Sequence, residues 1–173
     1  MSRIHSSRRA PGLLILLALL SIGGCGYHLR TWDLEGNIET AKITANARNP
    51  LAVPLGRALQ NAGVELVDSG SADVTIELLG DRSNRRAVSV TDQARAAEYE
   101  TSLQVQYGVL GKQNEVLADP RWIRAARIYQ VDRNNLVGSS EEQALLEREM
   151  VSDLVQQLIR GLNAVVRDES SAT

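Results

Sequence analysis

The sequence predicts an α+β fold: a mixed four- or five-stranded β-sheet with two helices packed on one face, in the order β-α-β-β-β-α. Three observations predict it. Leu51, Leu55, Ala58, Leu59 and Ala62 recur at helical spacing in the first third of the chain. Tyr99, Thr101, Leu103, Val105, Tyr107 and Val109 alternate with Glu100, Ser102, Gln104 and Gln106, the period of a strand with one buried face. Near the end, Leu146, Met150, Leu154, Leu158, Leu162 and Val165 form a stripe, widened by Val151, Val155 and Ile159, that marks a long helix.

Taken in order, residues 38–45, with Ile38, Ile43 and small or β-branched neighbours, read as the first strand. Asn49 and Pro50 open the first helix, as cap and first-turn residue, and Gly63 closes it. Residues 64–67 form a short edge-like strand or an extended connection, which leaves the strand count at four or five. Val74, Ile76 and Leu78 alternate up to Gly80, and the pattern resumes at Val88 and Val90. After the long alternation come residues 122–131, where Arg124 and Arg127 point to opposite faces. Ser140 and Gln143 have capping-box spacing, with Glu141 and Glu142 where the helix dipole favours acids.

A chain of 173 residues, 43% hydrophobic, fits one domain with its own core. Its amino terminus reads as a secretory signal: Arg3, Arg8 and Arg9 without an acid, then an apolar run over residues 13–20. That run is far short of the roughly 20 residues that span a bilayer. Ile22-Gly23-Gly24-Cys25 resembles the bacterial lipobox, and Cys25 is the sole cysteine of the chain. The expected organisation is therefore a removed signal at 1–24, a domain at 25–167 acylated on Cys25, and a disordered tail at 168–173. Gly26 stands where an Asp would retain a lipoprotein in the inner membrane, so the resemblance implies the outer membrane, facing the periplasm.

Composition excludes several functions. From Cys25 onward the chain has 16 basic and 21 acidic groups and few aromatics, unlike a nucleic-acid-binding surface. His28 is the only histidine beyond the signal, so neither a metal site nor a cofactor is expected. No nucleophile elbow, phosphate-cradling glycine loop or dinucleotide fingerprint is present. Glu98 and Glu100 lie on one strand face and could do acid–base work, but paired acids on a solvated face are ordinary. An enzyme is not expected. The arginines stand out more: 14 Arg against 2 Lys after the signal, with Arg82, Arg85 and Arg86 clustered between two strands and Arg95 at the next turn. Guanidinium groups bind phosphate bidentately, so these four are the candidates for recognising a phosphorylated lipid or an acidic partner; the alternative is a compositional bias toward Arg.

The pieces together resemble a known family. Cys25-Gly26-Tyr27-His28-Leu29-Arg30, Leu55-Gly56-Arg57-Ala58-Leu59, Gly63-Val64-Glu65-Leu66, Ala97-Glu98-Tyr99, Arg127 with Tyr129, Asp132 and Asn134, Glu141-Glu142, and Gln157-Leu158-Ile159-Arg160 with Leu162 are similar, in order and spacing, to the outer-membrane LPS-assembly lipoproteins, LptE. The resemblance implies a plug seated in the lumen of the large β-barrel LptD, which assists its assembly and binds lipopolysaccharide. It also implies basic residues near Asp92 and Ser139, where this chain has none; Arg85, Arg86 and Arg95 could substitute at the first place. The other reading is a lipoprotein adapter for a different envelope complex.

Overall fold

In the computed structural model, which describes residues 38–90, 96–130 and 136–172, the elements run β1 (Thr40–Ala45), α1 (Ala52–Asn61), β2 (Glu65–Leu66), β3 (Val74–Val90), β4 (Ala96–Gly111), β5 (Val116–Gln130) and α2 (Leu136–Ala172). The sheet order is β2-β1-β3-β4-β5, with β1 parallel to both neighbours and the remaining pairs antiparallel. Both helices lie on one face. Leu55 and Leu59 of α1 and Met150, Leu154, Leu158, Ile159 and Leu162 of α2 close the core over Ile76, Val105, Tyr107 and Val109. The predicted α+β class and element order are those observed, and the short segment after α1 is a strand in its own right, paired Thr40↔Glu65 and Ala41↔Leu66.

Hydrogen bonds explain the joints. Asn49 Oδ1 accepts from the Leu51 N–H at 3.0 Å, so this residue organises the turn before α1, which begins at Ala52 and not at Pro50. Pro54 is tolerated because it falls in the first turn, where an N–H would have no intrahelical acceptor. At the other end Val64 N–H donates to Leu59 O and Gly63 N–H to Gln60 O, each at 3.0 Å, with Gly63 at φ 82°. This paired closure is the Schellman motif and requires the left-handed glycine. Asp73 then staples β3 to β1: its Oδ2 accepts from the Thr40 N–H and Oγ1, both at 2.9 Å, while Thr40 Oγ1 accepts from the Asp73 N–H at 3.0 Å.

Further boundaries differ from the sequence reading. β3 is continuous from Val74 to Val90, so Arg82, Arg85 and Arg86 stand on a strand and not between two. The long β4 supplies hydrogen-bond partners along this whole stretch, which outweighs its poor apolar alternation. β5 begins at Val116, before Trp122, and accommodates Pro120 because it is an edge strand. α2 starts at Leu136, ahead of Ser140; earlier initiation gives the N–H groups near Ser140 carbonyl acceptors one turn back. The same helix continues to Ala172, through the stretch read as a disordered tail. Residues 168–172 contain neither Gly nor Pro, and each residue added to an existing helix gains a hydrogen bond.

Candidate functional site

The strand pairing fixes two surfaces and sorts the arginines between them. Arg82↔Gln104 and Arg86↔Glu100 put Arg82 and Arg86 on the face opposite the helices, whereas Arg85↔Thr101 puts Arg85 on the helix side. The expected cluster is thus divided. Arg95 lies outside the described residues, as do Cys25, the signal, and Asp92.

On the open face Glu100 is the centre. Arg86 donates from Nη2 to Oε2 at 3.1 Å and from Nε to Oε1 at 3.3 Å, and Arg124 of β5 donates to Oε1 at 2.7 Å. Three strands are cross-linked by one carboxylate. The Arg86 hydrogen bond leads the causes that hold Glu100 below the ordinary carboxylate range and push Arg86 up. A general acid needs the opposite shift, so Glu100 is not tuned for that role. Glu98 instead accepts from Gln130 Nε2 at 3.4 Å. Arg82 sits with its guanidinium carbon 4.2 Å from the Trp122 ring centroid, a cation–π contact across two strands.

On the helix side Arg85 stacks 4.0 Å from the Tyr99 centroid and 5.5 Å from that of Tyr129, the two rings being 6.1 Å apart. The Tyr129 hydroxyl donates to Gln143 Oε1 at 3.2 Å, and burial raises its pKa. Arg127, on the opposite face of β5 from Arg124 as expected, binds Asp153 and reaches Glu149 at 3.5 Å, tying β5 to α2. Asp153 leads the causes that raise its pKa. Arg121 Nε donates to the Tyr107 hydroxyl at 2.8 Å beneath Gly161.

Sequence reasoning missed Trp122, Tyr99 and Tyr129 as platforms for arginine. Tyr99↔Tyr129 is a directly opposed pair, and the signal for it was the alternation of β4 continued into β5. Among the described residues no three His, Cys, Asp or Glu side chains converge as metal ligands, and no helix is long and apolar enough to cross a membrane. The arrangement offers cations held on aromatic rings and a mostly polar sheet face on which Ile128 is exposed beside Glu100. Such a surface recognises by charge and hydrogen bonding.

Comparison with known proteins agrees with this picture. A family model described as LptE, lipopolysaccharide-assembly, matches residues 37–162. The LPS-assembly lipoprotein LptE of Photorhabdus laumondii is 30% identical over 156 residues, covering 88% of this chain and 85% of that protein. Its namesake in Pectobacterium atrosepticum is 27% identical over 154 residues, covering 87% and 83%. The solution structure of an uncharacterised lipoprotein B from Nitrosomonas europaea superposes with a TM-score of 0.68 at 27% identity, covering 80% of this chain and 91% of that one. The rare lipoprotein B of Shewanella oneidensis shares the fold, with a TM-score of 0.67 at 22% identity, covering 76% and 98%. With the family model spanning most of the chain and the strand order and helix placement in agreement, this protein belongs to the LptE family of LPS-assembly lipoproteins.

Proposed function

We propose that the protein is an outer-membrane lipoprotein, acylated at Cys25, whose body lodges in the lumen of an LptD-type β-barrel. There it helps the barrel assemble and supports lipopolysaccharide transport to the outer membrane. It acts by binding and not by catalysis. The observation that carries this reading is the open sheet face. Arg86 and Arg124 share the single carboxylate of Glu100 there, which leaves the group with one net positive charge, and Gln104 and Gln106 stand opposite Arg82 and Trp122, beneath their stack. Wide barrels have polar interiors, and this face suits that environment because its ion pairs and amides outnumber the exposed apolar side chains among them, Ile128 and Trp122. A permanent tether adds effective concentration at the membrane where the barrel folds.

Lipopolysaccharide itself is the second ligand in this proposal, with Arg82, Arg85, Arg86 and Arg95 as phosphate contacts. Arg85 is the foremost of them, because its guanidinium is held on two tyrosines and has no ion-pair partner among the described residues. The test is co-purification from detergent-extracted outer membranes, which is expected to recover a stoichiometric barrel, and depletion, which is expected to leave that barrel misassembled. A correctly assembled barrel with unchanged surface lipopolysaccharide after depletion refutes the reading. Recovery of a different envelope complex would favour the adapter alternative.

A further inference from the structure

β3 pairs with β1 only over residues 74–78, whereas its ladder with β4 continues to Val90. Past Leu78, therefore, the side of β3 away from β4 has no neighbouring strand among the described residues. Within this stretch the run from Gly80↔Gln106 to Ala87↔Tyr99 proceeds without a register shift, eight pairs bracketed by irregularities at both ends. In an antiparallel ladder every second residue turns both its N–H and its C=O away from the partner strand. The run therefore presents a regular row of unpaired backbone groups, and residues 81–88 are exposed on both faces. The outer edge of β5 differs: it carries Pro120, and its ladder is broken twice near that end, devices that blunt an edge.

We propose that this edge of β3 accepts an extended, net-acidic segment of the barrel partner as an added strand. This deepens the plug reading above and rests on it. Backbone hydrogen bonds would supply the binding, as in other strand-addition complexes. Charge selects the occupant. The run carries Arg82, Arg85 and Arg86 against Asp81, and Arg86 is occupied by Glu100. Arg82 and Arg85 have no ion-pair partner among the described residues and lie three positions apart, on opposite faces. Their guanidinium groups lie over rings of β4 and β5, so they favour an acidic incoming strand by charge at a distance and not by direct pairing. A second copy of this chain would bring a net positive edge against a net positive edge.

Amide hydrogen exchange tests the assignment at the backbone. The full-length lipoprotein is compared alone, with purified lipopolysaccharide, and in the co-purified barrel complex. Alone, the amides of residues 80–87 are expected to alternate between slow, bonded to β4, and fast. In the complex the fast set is expected to slow by at least about tenfold. A complex in which that set stays fast overturns the proposal and leaves the plug reading standing; absence of any complex overturns both. Protection that grows with protein concentration alone assigns the edge to a second copy, and equal protection by lipopolysaccharide assigns it to lipid; either result overturns the barrel segment. Reversing Arg82→Glu and Arg85→Glu together removes their ring contacts and so is expected to lower the melting temperature modestly, and to weaken the complex about tenfold at a temperature where the variant is fully folded. Unchanged affinity in that variant overturns the acidic partner.

Discussion

Gly161 sits where a methyl group has no room: a Cβ there would come within 2.5 Å of the Tyr107 hydroxyl and 3.0 Å of Arg121 Nη2. Tyr107 is 1% exposed and cannot swing aside, so α2 approaches β4 closely only because this residue is glycine. Alanine in a helix is otherwise favoured over glycine by about 1 kcal/mol, but overpacking costs about 1–3 kcal/mol, and the clash wins. Gly161→Ala is expected to lower stability by about 1 kcal/mol in denaturant unfolding. Adding Tyr107→Phe removes the clashing oxygen and should recover part of that loss, a non-additivity that marks the contact as the cause. Asp73 makes a second residue-scale case. Its carboxyl lies below its ordinary 3.8, chiefly through the Thr40 backbone N–H, with Lys112 at 3.2 Å adding a smaller contribution. A depressed acid contributes stability fully above its unfolded value and loses it as pH falls through the folded one. Asp73→Asn should therefore cost about 1–3 kcal/mol at neutral pH, and its deficit should shrink below about pH 4. A deficit independent of pH would exclude the charge as its source.

At the scale of elements, α2 carries the heaviest packing. Leu154, Leu158 and Leu162 are fully buried, and Leu158→Ala is expected to cost about 2–5 kcal/mol. Among the described residues the last core member along α2 is Val166, and removing residues 168–173 is expected to change stability by no more than about 0.5 kcal/mol, measured by the same unfolding curves. A larger loss would mean that the end of the helix packs on the body. This element also shows what the sequence made legible. Its apolar stripe was plain because one face of a helix on a sheet must repeat at 3.6 residues, and only its two ends differ: Leu146 is half-buried outside the core, and Val166 is buried in place of Val165. β4 was equally plain, with one face against the helices. The distal half of β3 was not: both its faces are solvated, so no alternation records it, and what makes it a strand is pairing with β4. The division of Arg85 from Arg82 and Arg86 followed from that hidden strand. Nor could the sequence pair Arg82 with Trp122, a contact created across β4 by register alone.

At the scale of the whole molecule, anchor and body make separable contributions. Among the described residues the core closes on itself between Ile38 and Val166, so folding should be indifferent to the state of Cys25. Location should not be. Each buried methylene of an acyl chain contributes about 0.8 kcal/mol, and an anchor of more than one chain holds a protein to a bilayer against dilution. In the proposed reading, such a tether would confine the body near the membrane and so raise its effective concentration for a barrel partner without any new contact. Cys25→Ser is therefore expected to keep the melting temperature of the body, to move the protein from the membrane to the soluble periplasmic fraction, and to lower the yield of assembled barrel. Raising expression of the unanchored variant should restore that yield, because mass action can replace tethering where the binding surface is intact. Arg82→Glu with Arg85→Glu should show the reverse pattern: normal membrane fractionation with poor barrel recovery that extra protein only partly repairs. Fractionation and barrel yield measured on both variants distinguish a protein that works by where it is held from one that works by what its sheet presents. If the unanchored variant proves unstable, the anchor belongs to the fold and this separation fails.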